Sequence, residues 1–291
     1  MLNKLLLTIL ESRIDETLIN DRNIIIVDND VERSAEIVVK NIHETVVRPW
    51  KIMYHNHPVK GLSNVRNEML TRALLQNPDF IIFVDDDEFV TPDWLNELLK
   101  TILSNNADAV IGPVIAELNN SVSEYIAYFF KRKGFPDNSQ VYSLATGNLI
   151  LKRTSFEKFN VWFDNRFNFT GSEDSFFGIQ LMKKGCTIYW AANAIAYETI
   201  PENRANLKWL IKRNYNGAVT FTYILKLERK FYQLLQKTLV SGVYLILGLL
   251  ASLLTFFPVR WKYWGILKIS EGIGGIAGLF SILFHEYSKD R

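Results

Sequence analysis

The sequence predicts an α/β domain with a mainly parallel central sheet, followed by C-terminal membrane-associated helices. Three observations carry this reading. β-Branched runs at 23–28 and 80–84 each end in acids, as buried parallel strands do where they reach the carboxyl edge of a sheet. Strand-like and helix-like segments alternate at about thirty-residue spacing, the rhythm of strand–helix–strand units. Residues 238–257 then supply twenty positions without a charge.

The elements follow in order. The apolar N-terminus is interrupted by Glu11 and Asp15 and lacks a small-residue cleavage site, so it reads as a helix over 2–12 and not as a signal peptide. After the strand at 23–28 come a helix over 33–42, a strand over 50–55 and a helix over 63–75. The strand at 80–84 runs straight into Asp85, Asp86 and Asp87. Thr91 as N-cap and Pro92 in the first helical position mark the next helix. An apolar run at 108–115, an aromatic segment at 125–135, a strand at 147–151, a helix from Glu173, a strand over 186–196 and a basic helix over 209–217 complete 1–225, which reads as one domain.

The region 226–291 reads as a basic, apolar membrane segment. The run 238–257 is long enough for a hydrocarbon core of about 30 Å. The stretch 264–284 fits a second span or an interfacial helix, with Lys268 and Glu271 three apart and able to pair. Bases at Lys226, Arg229, Lys230 and Lys237 precede the first span and put the larger domain on the cytoplasmic side. Two spans would form a tight hairpin separated by 258–263.

Composition narrows the function. The formal charge is +2, from 33 bases and 31 acids, but nine bases and four acids lie in 226–291, so 1–225 is net −3 and the tail net +5. An acidic domain with a basic apolar tail argues against nucleic acid and for a membrane surface. One cysteine, Cys186, rules out an internal disulfide and a cysteine-built zinc site and suits a reducing compartment. With 38 aromatic residues, disorder is not expected.

Three acidic clusters carry the candidate chemistry. Ligands of open α/β sheets bind outside the carboxyl ends of the strands, where Asp28, Asp30 and Asp85–Asp87 stand. Adjacent carboxylates repel one another, which fits either a hard divalent cation such as Mn2+ or Mg2+ on a diphosphate or a solvated turn. Glu173 and Asp174 open a helix, a position that suits a general base and equally a carboxylate answering the helix dipole.

In order, Val27-Asp28-Asn29-Asp30, Gly61 with Arg66-Asn67, Phe83-Val84-Asp85-Asp86-Asp87, Thr146-Gly147-Asn148 and Glu173-Asp174 resemble the pattern of glycosyltransferase family 2 over about 20–217. The likeness is to members that build bacterial surface polysaccharides and carry a membrane-associated tail. The resemblance implies a GT-A fold and inverting transfer from a nucleotide sugar, here a UDP-sugar, with a divalent metal. The acceptor would be a glycan or lipid-linked sugar at the cytoplasmic face of the bacterial inner membrane.

By position, the resemblance implies that Asp28 and Asp30 contact the uridine and that Asp85, with Asp86 beside it, faces the ribose or sugar. Asp87 would hold the metal, and Arg66 would lie near the donor. Gly147 and Asn148 would line the sugar or acceptor pocket; Asp174 would be the base, with Glu173 orienting the acceptor. Members of the family open with a strand ahead of the helix at 2–12, so the fold is expected to lack its first strand here. We read this as a start assigned too far downstream. The alternative reading is a catalytically inactive relative acting as a membrane partner of an active transferase.

Lesser candidates are His55 and His57 as metal ligands or loop residues, the aromatics of 125–135 as an acceptor platform or packing, and Arg204, Lys208, Lys212 and Arg213 as a diphosphate-binding or solvated face. A nucleotidyltransferase is disfavoured by Glu173-Asp174. A dinucleotide oxidoreductase is disfavoured by the lack of Gly-x-Gly-x-x-Gly after an early strand.

Overall fold

A computed structural model describes residues 1–19, 21–43, 50–253 and 259–283. The first elements are α1 (Leu2–Leu10), β1 (Arg22–Asp28), α2 (Glu36–His43), β2 (Trp50–Asn56), α3 (Leu62–Leu74) and β3 (Phe80–Val84). There follow β4 (Glu88–Val90), α4 (Trp94–Ser104), β5 (Ala109–Ile111), β6 (Val114–Glu117), α5 (Glu124–Ala127), β7 (Asn148–Lys152), α6 (Arg153–Phe159) and α7 (Glu173–Lys183). The last are β8 (Ile188–Trp190), β9 (Ala196–Thr199), α8 (Leu207–Leu227), α9 (Phe231–Leu253) and α10 (Val259–Leu279).

Strands β3, β7, β5 and β8 form one sheet in that order, β1 and β2 a second, and β4, β9 and β6 a third. Pairing is parallel for β1–β2, β5–β8 and β6–β9 and antiparallel for β3–β7, β5–β7 and β4–β9. The sequence reading of a mainly parallel sheet is therefore amended to a mixed one. The cause is β7, which lies between β3 and β5 and runs against both; strand direction leaves no mark in a short apolar run. Among the described residues, β1 pairs only with β2 and β3 only with β7, so no strand joins the first two sheets.

The four-stranded sheet is buried on both faces, and its side chains sort by the strand period of two. Leu149 and Leu151 of β7 pack with Leu70, Phe156, Phe177 and Leu181 from α3, α6 and α7. Ile150, between them, joins Leu95, Leu98 and Ile102 of α4 and Leu5 and Ile9 of α1 on the opposite face. A third cluster, Leu6, Val39, Ile42 and Ile52, seals α1 and α2 onto the β1–β2 pair.

Several element boundaries move from their sequence positions. Helix α4 starts at Trp94 with Asp93 as its N-cap, and Pro92 lies before it. The hydroxyl of Thr91 instead donates to Ile195 O at 3.2 Å, across the β4–β9 edge. Gly112 and Pro113 break the run 108–115 into β5 and β6, and 186–196 is likewise divided, with β8 at its centre and β9 starting only at Ala196. The segment 259–263, expected to separate two spans, is the first turn of α10.

The chain divides into two compact units. One comprises Met1–Glu117, Arg132–Asn168 and Glu173–Thr199; the other comprises Leu118–Lys131, Phe169–Ser172 and Ile200–Arg291. In the second unit α10 packs along both α8 and α9 through glycines. A Cβ at Gly248 would lie 2.7 Å from the carbonyl oxygen of Gly265, and one at Gly272 the same distance from that of Ser241, so these helices touch at the backbone. Glu271 receives Lys268 at 2.7 Å and Lys237 at 3.4 Å, which places the expected Lys268–Glu271 pair on α10 and adds α9 to it.

Helix α9 is the one helix among the described residues long and apolar enough to cross a membrane by length and composition. Only Ser241 and Gly248 of its residues are buried, while Leu239, Ile246 and Leu250 are more than half exposed. The expected end of this span, 254–257, lies outside the described residues, as does residue 284 of the second.

Candidate active site

The carboxyl ends of β1 and β3, the turn after β3 and the first turn of α7 carry the candidate residues, all in the first unit. Asp28 ends β1 and is 8% exposed. Its Oδ1 accepts from Asp30 N at 2.9 Å, and its Oδ2 accepts from Ala35 N at 3.1 Å and from the Tyr54 hydroxyl at 2.9 Å. With three donors on two oxygens, Asp28 shapes the loop to α2. Burial, seconded by the Asp28 carboxylate, pushes the Tyr54 hydroxyl up to about 12, so it remains a donor.

Asp30 is half-buried, and hydrogen bonds from Ser34 and from Glu32 N hold its carboxyl below the usual range. Asn56 ties the turn to β2, donating to Asp28 O at 3.2 Å and Asp30 O at 2.8 Å.

At the second strand end, Asp85 Oδ1 accepts from Arg66 Nη2 at 3.1 Å, and its side chain remains 45% exposed. Asp86 is exposed and Asp87 partly so, and Asp87 O accepts from Thr199 N at 2.9 Å. Glu88, beneath this turn, is 3% exposed and its Oε2 accepts from Asp85 N at 3.2 Å. Burial first, then the Asp85 carboxylate, push its carboxyl up to about 10, so it is neutral at pH 7. Gly147 lies against this pair: a Cβ there would collide with Glu88 Oε1 and lie 3.3 Å from Asp85 Oδ2. Glycine lets the backbone approach both carboxylates without displacing the Glu88 side chain.

Arg66, on α3, connects the acidic turn to α7. Its guanidinium pairs with Asp85 on one side and Glu173 on the other, with side-chain exposures of 13% for Arg66 and 4% for Glu173. A planar guanidinium presents its donors in a fixed fork, which is why arginine can hold both carboxylates at once. Glu173 is thus turned inward. Asp174 is half-exposed, and its Oδ1 accepts from Ser175 N at 2.6 Å.

Asn148 is buried at 2% exposure. Its Nδ2 donates to Ala194 O at 2.7 Å and Pro113 O at 3.1 Å, and its Oδ1 accepts from Trp94 Nε1 at 2.8 Å. It fastens β7 to the neighbouring loops through both its amide nitrogen and its amide oxygen.

The structure therefore brings Arg66, Asp85, Gly147 and Glu173 together, with Asp87 two residues along the turn and Asp174 beside Glu173. Tyr54, Asn56, Glu88 and Trp94 complete the site and were not singled out in the sequence. Glu88 continues the acidic run, yet nothing in the sequence marks it as buried. Among the described residues no group of three or more His, Cys, Asp or Glu is arranged to hold a metal, which includes His55 and His57. One or two carboxylates plus substrate phosphate oxygens is how Mg2+ is commonly held, and the exposed acidic turn suits that arrangement.

The family model for glycosyl transferase family 2 matches residues 2–163. The chain belongs to this family. Among its relatives, the succinoglycan biosynthesis protein ExoM of Rhizobium meliloti (strain 1021) is 32% identical over 68% of the chain and 63% of that protein. A putative glycosyltransferase, EpsH, of Bacillus subtilis (strain 168) is 24% identical over 71% of the chain and 58% of its own length. The family member described here thus spans less than two thirds of these relatives. Of solved structures, S. aureus TarS 1-349 in complex with UDP-GlcNAc matches with a TM-score of 0.51 at 14% identity, covering 95% of this chain and 87% of that one. Its complex with UDP matches with a TM-score of 0.50 at 13% identity, covering 95% and 86%. These shared folds establish the GT-A-like α/β architecture of this family 2 chain.

Proposed function

We propose that this family 2 protein is an inverting glycosyltransferase that moves a hexose from a UDP-sugar to a glycan or lipid-linked acceptor in bacterial surface-polysaccharide assembly. The observation that carries the proposal is the Arg66 bridge, which holds the turn bearing Asp85–Asp87 and the helix bearing Glu173–Asp174 against one another. A donor-side acid cluster and an accessible carboxylate on a neighbouring helix are what single-displacement sugar transfer needs. The succinoglycan role in ExoM's name and the UDP and UDP-GlcNAc in the TarS complexes support the same class of reaction.

In this reading Asp28 and Asp30 shape the uridine end, and Asp85 and Asp86 face the ribose and sugar. Asp174 takes the proton of the acceptor hydroxyl as its oxygen forms a bond to the anomeric carbon. The bond from that carbon to the diphosphate oxygen breaks on the opposite face, and UDP leaves with the electron pair. Glu173, held by Arg66, fixes the first turn of α7 and so the direction of Asp174. Asp87 would hold a divalent ion, which when bound offsets charge on the departing diphosphate. The exposed apolar side of α9 and the bases before it support attachment to the cytoplasmic face of a membrane.

The test is turnover of a UDP-sugar panel with Mn2+ by the full chain and by Asp87→Asn and Asp174→Asn. Loss of turnover in both variants supports the assignments; full turnover in either removes that residue from its role. One observation favours the second reading, a catalytically inactive membrane partner: among the described residues no strand joins β1 to β3, whose ends would form the nucleotide pocket. Calorimetry with UDP and Mn2+ separates the two, since a partner protein gives no heat of binding.

A further inference from the structure

The helix register of the second unit fixes the depth at which each of its charges would lie in a membrane. Helices α9 and α10 run antiparallel, with Gly248 meeting Gly265 and Ser241 meeting Gly272. Helices α8 and α10 run in the same direction, with Tyr215 meeting Gly274 and Val219 meeting Gly278. Gly242, the midpoint of α9, is therefore level with Glu271 of α10 and Lys212 of α8, and Arg213 and Lys268 lie within three residues, about 5 Å, of that level. Lys237 reaches it from α9 by pairing with Glu271 at 3.4 Å. Four cations and one acid of this unit thus share the level of the α9 midpoint, and Arg213 is exposed there. If α9 crossed a bilayer, that level would be the centre of the hydrocarbon, where charges are tolerated only facing protein or a water-filled cavity. A span also carries its cations mainly on one side. Here Arg229 and Lys230 precede α9, and Arg260 and Lys262 are level with its far end.

We propose that α9 does not cross the bilayer but lies in its plane, with its outer face embedded in one leaflet of anionic phospholipid and the charges of α8 and α10 kept on the aqueous side. The outer face suits this. Leu235, Leu239, Val243, Ile246, Leu250 and Leu253, three or four residues apart, are all at least half exposed. Leu247 and Leu249, also exposed, make the stripe broader than a coiled-coil seam. The one charge of α9, Lys237, is turned inward to Glu271. A helix with so wide an apolar face and cations at its margins settles at the boundary of headgroups and acyl chains.

Charge selects lipid over a second copy of the chain. An antiparallel pairing through the stripe would set Arg229 and Lys230 against Arg260 and Lys262, and a parallel pairing would set each group against its own copy, so both bring like charges together. Anionic headgroups answer the cations at both ends. Phe231, Tyr232 and Trp261 stand exposed beside those cations, as aromatic side chains do at headgroup level. The proposal rests on the membrane attachment proposed above and fixes its geometry; its test uses no activity.

The experiment uses the full chain with Cys186→Ser and one of Leu235→Cys, Val243→Cys or Leu253→Cys, labelled with an environment-sensitive fluorophore. Should Cys186→Ser fail to fold, Cys186 is retained, since it is buried. Each protein is mixed with preformed phosphatidylcholine vesicles, with and without phosphatidylglycerol, that contain a spin-labelled lipid quenching either near the top or near the end of the acyl chain. The proposal expects stronger shallow than deep quenching at all three positions, with ratios within about twofold of one another, and binding about tenfold or more tighter with phosphatidylglycerol. Deep quenching at Val243→Cys with shallow quenching at the other two shows a span, which overturns the proposal and keeps membrane attachment. Labels shielded from water in a lipid-free dimer overturn it in favour of a second copy, and equal affinity for the two vesicles overturns the anionic partner. Failure to bind either vesicle overturns it together with the attachment.

Discussion

Glu88 offers a sharp test because its effect is confined to one proton. The side chain is 3% exposed, accepts from Asp85 N and lies against Gly147, and its carboxyl is raised from 4.5 to about 10. A group whose folded pKa is raised gives its full stability below the unfolded value and loses it as pH rises toward the folded one. Between pH 5 and 7 the unfolded chain releases this proton and the folded chain keeps it. Each pH unit then costs about 1.4 kcal/mol, or about 3 kcal/mol over the two units. Glu88→Gln keeps the size of the side chain and the acceptor for Asp85 N, but has no proton to release. Urea unfolding followed by tryptophan fluorescence, at pH 5, 6 and 7 with EDTA present, should show the variant gaining about 3 kcal/mol on the parent across the series. All other titrations cancel in the difference. Parallel curves for the two proteins would mean that Glu88 ionises in the folded state, and the assignment of a neutral acid beneath Asp85 would be wrong.

Other expectations follow from the same geometry. Arg66→Met leaves Glu173 buried without its cation and should cost about 3–5 kcal/mol in unfolding experiments, most of it regained in the double variant Arg66→Met/Glu173→Leu; an unrecovered loss would place the effect elsewhere. Asn148→Ala strands Trp94 Nε1 and two carbonyls, so thermal melts should fall by the equivalent of about 2–4 kcal/mol while UDP affinity stays within about twofold. A large affinity loss with an unchanged melt would return Asn148 to the ligand pocket. Gly147→Ala drives a methyl group into Glu88 and Asp85, and calorimetry should show UDP–Mn2+ binding weakened about tenfold or more. Liposome flotation of the full chain should require the apolar face of α9, and Leu239→Lys/Ile246→Lys/Leu250→Lys should lose the vesicles without losing the fold of the first unit.

The sequence carried those parts of the fold that repeat along the chain. The runs at 23–28 and 80–84 became strands within a residue of their expected limits because short runs rich in β-branched residues leave no competing helical pattern. What it hid depends on partners distant in the chain. β4 has three residues and no periodicity, and it becomes a strand because β9 lies beside it. The direction of β7 is set by its neighbours. In the site, acids at strand ends and at the first turn of α7 were visible as types in order. That Glu173 faces inward depends on Arg66, more than a hundred residues earlier. Asn148 was placed at the sugar or acceptor pocket by the family resemblance alone; its three partners, Trp94, Pro113 and Ala194, come from separate loops and helices and leave no mark in the sequence around it.

The central claim is that Asp174, directed by the Arg66–Glu173 pair, takes the acceptor proton while the acidic turn after β3 holds the donor. Its most direct measurement compares single-turnover transfer and UDP binding in the parent and in Asp174→Asn. The account predicts a transfer rate lowered by about 10²–10⁴-fold with UDP affinity unchanged. Transfer at the parent rate in Asp174→Asn, with UDP still bound, would contradict it.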